Sequence, residues 1–191
     1  MKKALIGAGG HAREVMVQMG NILPCFVDDK YADGDSLPIS SFNPEEYQVL
    51  VAIGSSKDRR NVINSLPKET KYFTFIHPTS IIGNNIHIGT GSFIGAFSVL
   101  LDNIQIGKHA LLNRGNHVGH DCKIGNYFSA MPGAIVSGHV TIGNNFYMGT
   151  NSSIREKINI TNNVTVGLNS GTVKDINEEG VYVGIPSKKI K

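Results

Sequence analysis

The stretch that decides the fold is IHIGTGSFIGAFSVLLDNIQIG, residues 86–107. Ile88, Ile94, Leu100 and Ile106 fall six apart in it, and Ile86, Ser92, Ser98 and Ile104 stand two places before each. The same step reaches back to Ile76 and on to Val166 without an insertion, through Leu112, Val118, Ile124, Ala130, Val136, Ile142, Met148, Ile154 and Ile160. Only Ala130 and Met148 are not branched aliphatics. The second lane continues as Ala110, Asn116, Cys122, Phe128, Ala134, Val140, Phe146, Ser152, Ile158 and Val164. Two like residues two apart within each hexad make a short strand with one inward face. Glycine often follows the aliphatic residue, as at Gly83, Gly89, Gly107, Gly125 and Gly143, which predicts glycine-built corners. An unbroken period of six fits neither an α-helix nor a stack of hairpins. It fits a parallel β-helix.

The residues before the repeat follow another plan. KALIGAGGHAREVMVQMGN is a short apolar strand, a glycine turn and a helix whose Ala12, Val15, Met16 and Met19 share one face. ILPCFVDD and YQVLVAIGSS read as further strands, KDRRNVINSL as a second helix and KYFTFIHP as a last strand. Alternating strands and helices predict a small parallel α/β unit over residues 1–75, with the β-helix over 76–191. Gly7, Gly9 and Ala12 fill the looser form of the dinucleotide fingerprint, so Gly9 and Gly10 are candidates to hold a phosphate at a helix N-terminus. Asp28 and Asp29 end the second strand, where carboxylates bond a ribose or a base.

Composition narrows the function. The chain has 191 residues, 40% hydrophobic and 17% charged, which predicts a packed core rather than disorder. A net charge of +3 with scattered Lys and Arg speaks against a nucleic-acid binder. Cys25 and Cys122 make no disulfide framework. No signal-peptide pattern and no apolar run of membrane-spanning length occur, so a cytoplasmic location is expected and no membrane partner.

Together the two halves resemble the PglD/NeuD-like family of bacterial sugar acetyltransferases. The resemblance rests on GAGGHARE, FVDD, VAIGSSKDRR, LNRGNHVGHDCKIG and VYVGIPSKKI, in that order. It implies a Rossmann-like N-terminal domain joined to a left-handed β-helix, acetyl-CoA as cosubstrate, no metal, and a homotrimer with active sites between subunits. It places the general base at His120 and its acidic neighbour at Asp121. Asn113, His11, Asp28, Asp29, Gly54, Ser55 and Arg59 then surround a nucleotide sugar, and Thr150 and Gly167 line the coenzyme path. Ser129 stands where some relatives carry a second histidine near the acetyl donor, and His117 is extra.

The chemistry suits those residues. An amine attacking a thioester must lose a proton, and an imidazole takes it at physiological pH. A carboxylate fixes the imidazole's tautomer. One coil of three hexads is eighteen residues, so periodicity stacks Asp102, His120 and Gly138 in one column. Asp102 is therefore a second candidate to orient His120, and the Gly138 N–H is a candidate oxyanion donor. The expected function is acetyl-CoA-dependent N-acetylation of a nucleotide-linked amino sugar, a UDP-4-amino-4,6-dideoxy sugar, for surface glycan or glycoprotein synthesis. The alternatives are an O-acetyltransferase of sialic acid or a related sugar, a non-catalytic nucleotide-sugar binder, and a zinc hydratase. No two of His87, His117, His120 and His139 are a whole number of coils apart, which argues against the hydratase.

Overall fold

The computed structural model describes all 191 residues. Its first part is a five-stranded parallel sheet, order β3-β2-β1-β4-β5: β1 Lys2–Ile6, β2 Cys25–Val27, β3 Leu37–Pro38, β4 Tyr47–Val51 and β5 Lys71–Tyr72. Helices α1 (Gly10–Met19) and α2 (Ser56–Ser65) flank it. β3 is a two-residue edge strand that the sequence does not announce, because Leu37-Pro38 is too short for any period. Gly7 has φ 106°, and a Cβ there would lie 3.2 Å from the Ala52 carbonyl oxygen, so only glycine makes this turn comfortably. The αL residue Gly20 ends α1, and its N–H bonds back to Met16 and Val17.

From Phe75 the chain winds as a left-handed β-helix. Up to the last coil, short strands pair in parallel with those eighteen residues on: Phe75 with Phe93, Leu111 with Ser129, His117 with Ile135, Lys123 with Thr141. Both lanes of the repeat point inward. Ile94, Leu100, Leu112, Phe128, Phe146 and Val166 are fully buried in one continuous core. Ile76 and Ile82 are exposed because they belong to the first, open coil. Polar members of the inner lane donate to nearby carbonyls, although Asn116 Oδ1 is left without a partner. Ser92 Oγ donates to Gly89 O, Ser98 Oγ to Asn113 O and Asn116 Nδ2 to Met131 O.

The corners correct the expectation about glycine. Left-handed backbone falls to Asn103, His109, Asp121, Tyr127, His139, Asn145 and their equivalents, not to the glycines after the aliphatic residues. Those glycines are small for another reason: the next coil lies against them. A Cβ on Gly125 would fall 2.7 Å from the Gly143 carbonyl carbon. No helix is long and apolar enough to cross a membrane.

Candidate active site

The corner after Val118 carries His120 and Asp121. His120 Nδ1 lies 2.7 Å from Asp121 Oδ2. Asp121 Oδ1 accepts a 2.6 Å bond from Asn103 Nδ2, one coil earlier. These two hydrogen bonds, His120's the larger, hold the Asp121 carboxyl below its ordinary range. With Nδ1 facing the carboxylate, Nε2 is the free basic nitrogen of a neutral ring. The ring lies over Gly138, where a Cβ would come within 2.9 Å of Nε2. The Gly138 N–H makes no bond within the chain. A shallow groove of about 300 Å³ opens beside the ring, walled by Val99, Leu101, His117, Ile135 and Gly138.

The stack that periodicity predicts is present, and of the two candidate carboxylates it is Asp121, not Asp102, that meets His120. Asp102, His120 and Gly138 do occupy successive coils, but Asp102's carboxylate takes Asn85 Nδ2 at 3.4 Å. The carboxylate that serves His120 stands in the next column, Asn103, Asp121 and His139, whose members all have left-handed backbone. Sequence reading missed Asn103 and His139. Shifting the eighteen-residue column by one place would have found both. His139 Nε2 lies 3.6 Å from Asp121 Oδ2, and its ring meets that of His120 edge-on at 4.9 Å. Ligand atoms of His120, Asp121 and His139 all lie within 4.8 Å of one another, although the two histidines are nineteen residues apart. The absence of an eighteen-residue histidine pair is thus no argument against a shared site.

The second site is a cleft of about 510 Å³ in the N-terminal domain. Gly7, Ala8 and Gly9 floor it, with Phe26, Val27 and Asp28 along β2 and Tyr31 at the rim. Tyr31 is largely exposed, and Lys30 Nζ stands 4.8 Å from its ring centre. Asp29 turns away: its carboxylate accepts the Ser40 N–H at 3.0 Å. Gly54 and Ser55 line a different groove, of about 790 Å³, with Lys57, Arg60 and Tyr147. Gly10 borders a third opening with Arg13 and Arg114.

His11, half-buried, and Asn113, buried, meet through Glu14, another residue sequence reading passed over. Glu14 Oε2 lies 3.4 Å from His11 Nδ1 and accepts from Asn113 Nδ2 at 3.1 Å. Burial lowers the His11 pKa, and its Nε2 has no partner.

Arg59 and Ser129 are buried at the joint between the domains rather than facing a cleft. Arg59 is 1% exposed. Its guanidinium donates to the carbonyls of His109, Ile53 and Phe128 and to Ser129 Oγ, across the joint between the domains. No carboxylate faces it, and burial pushes its pKa down to about 9. Ser56 Oγ also donates to Ser129 Oγ, which donates to Gly54 O. Both residues are consumed in holding the two domains together. Thr150 is exposed at a corner of the later coils, and Gly167 packs under Val183.

Residues 2–66 match the PglD N-terminal domain family. No curated protein sequence matches the chain. Among solved structures, WeeI from Acinetobacter baumannii is 25% identical with a TM-score of 0.87, and the match covers 100% of both chains. The acetyltransferase domain of PglB from Neisseria gonorrhoeae, in complex with acetyl coenzyme A, is 25% identical with a TM-score of 0.75, covering 99% of this chain and 98% of that one. A mutant perosamine N-acetyltransferase from Caulobacter crescentus, in complex with CoA and GDP-perosamine, shares the fold at 21% identity. Its TM-score is 0.87, over 100% of this chain and 97% of that one. The chain thus joins a segment matching the PglD N-terminal domain family to a left-handed β-helix, a fold it shares with these acetyltransferases.

Proposed function

We propose that this chain is an acetyl-CoA-dependent N-acetyltransferase acting on the amino group of a nucleotide-linked amino sugar, a UDP-4-amino-4,6-dideoxy sugar. Its product serves surface glycan or glycoprotein synthesis. The observation that carries the reading is the 2.7 Å contact between His120 Nδ1 and Asp121 Oδ2, with the unbonded Gly138 N–H beside the ring. The amine attacks the thioester carbonyl as His120 Nε2 takes its proton. Asp121 stabilises the imidazolium that forms. The Gly138 N–H meets the oxygen as it gains charge. Collapse breaks the carbon–sulfur bond, and the imidazolium returns the proton to the departing thiolate.

The cleft over Gly7, Ala8, Gly9 and Asp28 takes the nucleotide, with its phosphates toward the turn. Thr150 and Gly167 lie on the coenzyme's path along the later coils. Relatives bound to acetyl coenzyme A, and to CoA with a nucleotide sugar, support both assignments. The chain acts as a homotrimer. Ile81, Phe97, Leu101 and Ile135 are exposed on the face that carries His117, an apolar surface a second copy would cover. Use of acetyl-CoA and two free buried thiols fit the cytoplasm.

The test is free-thiol release from acetyl-CoA against a panel of 4-amino sugars on UDP, dTDP and GDP, with their 4-hydroxy analogues. Turnover of the UDP-linked amine and none of the hydroxy analogues is expected. Preference for a hydroxyl acceptor overturns the reading.

A further inference from the structure

His120 is bounded on three sides. Asp121 holds Nδ1, the Gly138 backbone lies beneath, and the edge of the His139 ring closes the third side at 4.9 Å and 89°. His139 is itself anchored to its neighbour: its N–H donates to the His120 carbonyl at 2.8 Å.

We propose that His139 is a positioning residue for His120, acting through the carboxylate of Asp121 that both imidazoles face. The proposal rests on the reading of His120 as the base. Asp121 is half-buried at a corner, where a lone carboxylate would sample several rotamers. Three groups confine it: Asn103 Nδ2 on Oδ1 at 2.6 Å, His120 Nδ1 on Oδ2 at 2.7 Å and His139 Nε2 at 3.6 Å from the same Oδ2. The last distance is too long for a hydrogen bond but close enough for an electrostatic hold. Asn103 lies one coil before Asp121 and His139 one coil after it. The carboxylate is thus pulled from both directions along the column and from the side by the base it serves. The remaining polar neighbour, the Cys122 thiol, is turned inward and donates to Ser137 O. Removing His139 leaves Oδ2 held by His120 alone, so carboxylate and imidazole swing together. The Nδ1–H tautomer then loses its advantage, and Nε2 is less often free to accept a proton.

Three variants separate this action from packing. His139→Gln keeps an N–H donor near Oδ2. His139→Phe keeps the ring edge without the donor. His139→Ala removes both. With acetyl-CoA and the amino sugar as substrates, Phe and Ala are expected to lower kcat about 10-fold with KM unchanged, and Gln to stay within about 2-fold. Nitrogen NMR of histidine-labelled protein should show His120 as a single Nδ1–H tautomer in the wild type and in His139→Gln, and as a mixture in His139→Phe. Wild-type kcat and a single tautomer in His139→Phe would overturn the proposal. The tautomer is read without turnover, so its loss upholds the positioning role even where His120→Ala keeps its rate. That second result would sink only the base assignment.

Discussion

Arg59 Nη2 sits 2.8 Å from Ser129 Oγ, so a helix of the first domain grips a strand of the second. The same guanidinium caps carbonyls from both domains. Arg59→Met would leave those buried acceptors unpaired. A loss of about 3 kcal/mol or more in stability is expected, because each orphaned buried acceptor carries its own desolvation cost. Urea denaturation measures it. A loss below about 1 kcal/mol would show that the joint does not depend on this side chain.

Gly138→Ala tests the seat beneath the base. The added methyl would lie 2.9 Å from His120 Nε2 and 3.0 Å from Cε1, so the imidazole must move out. Turnover should fall about 10²-fold, since displacement of a catalytic group by an ångström costs that much. Melting temperature should change little, because the ring can swing toward solvent.

Asp121→Asn keeps the shape of the helper and removes its charge. The amide can no longer stabilise the imidazolium, and its N–H₂ competes with Asn103 for position. A fall in kcat of about 10²-fold or more is expected with unchanged nucleotide-sugar affinity, read by kinetics and calorimetry. Asp102→Asn should leave both quantities near wild type, since Asp102 pairs with Asn85 instead.

His109 makes the fold sensitive to acid. It is buried against Tyr72 and Tyr127, and burial, with Arg59 nearby, pushes its pKa from 6.5 down to about 4. The unfolded chain therefore binds a proton between those values while the folded chain does not. Its contribution to stability is complete above about pH 6.5 and falls as pH drops toward 4, by about 2–3 kcal/mol in all. Urea midpoints at pH 7 and 4.5 should diverge in the wild type and converge in His109→Asn, a residue that tolerates the left-handed corner. Equal divergence in both would contradict the assignment.

Ile135→Lys addresses assembly. Ile135 is 43% exposed on the outward face, in register with His117. A buried, unpaired ammonium at a subunit contact is strongly unfavourable. Sedimentation should show the proposed trimer in the wild type and monomers in the variant, with turnover lost in parallel. A trimer that survives the lysine would move the interface elsewhere.

Much of this architecture was legible in the chain, and the reason is periodicity. Ile94, Leu100, Leu112 and Val166 must face inward because one-coil translation puts each above the last. GAGGHA likewise announced its strand, turn and helix. What periodicity does not report is which way a corner residue points. His120 could be stacked over Gly138 by counting, but Asp121, Asn103 and His139 depend on left-handed backbone at each corner. Nor does periodicity report Arg59, which family resemblance places at the nucleotide sugar: the docking of the two domains turns it inward onto main-chain carbonyls. The glycines that often follow the aliphatic residues were expected for backbone freedom at corners, but contact with the next coil is what requires them.

The role of the imidazole is tested most directly by the rate of thiol release from acetyl-CoA by His120→Ala, with the amino sugar saturating. A loss of about 10²-fold or more in kcat is expected while melting temperature and coenzyme binding stay as in the wild type. Turnover equal to the wild type in that variant would remove the imidazole from the reaction and with it the proposed chemistry.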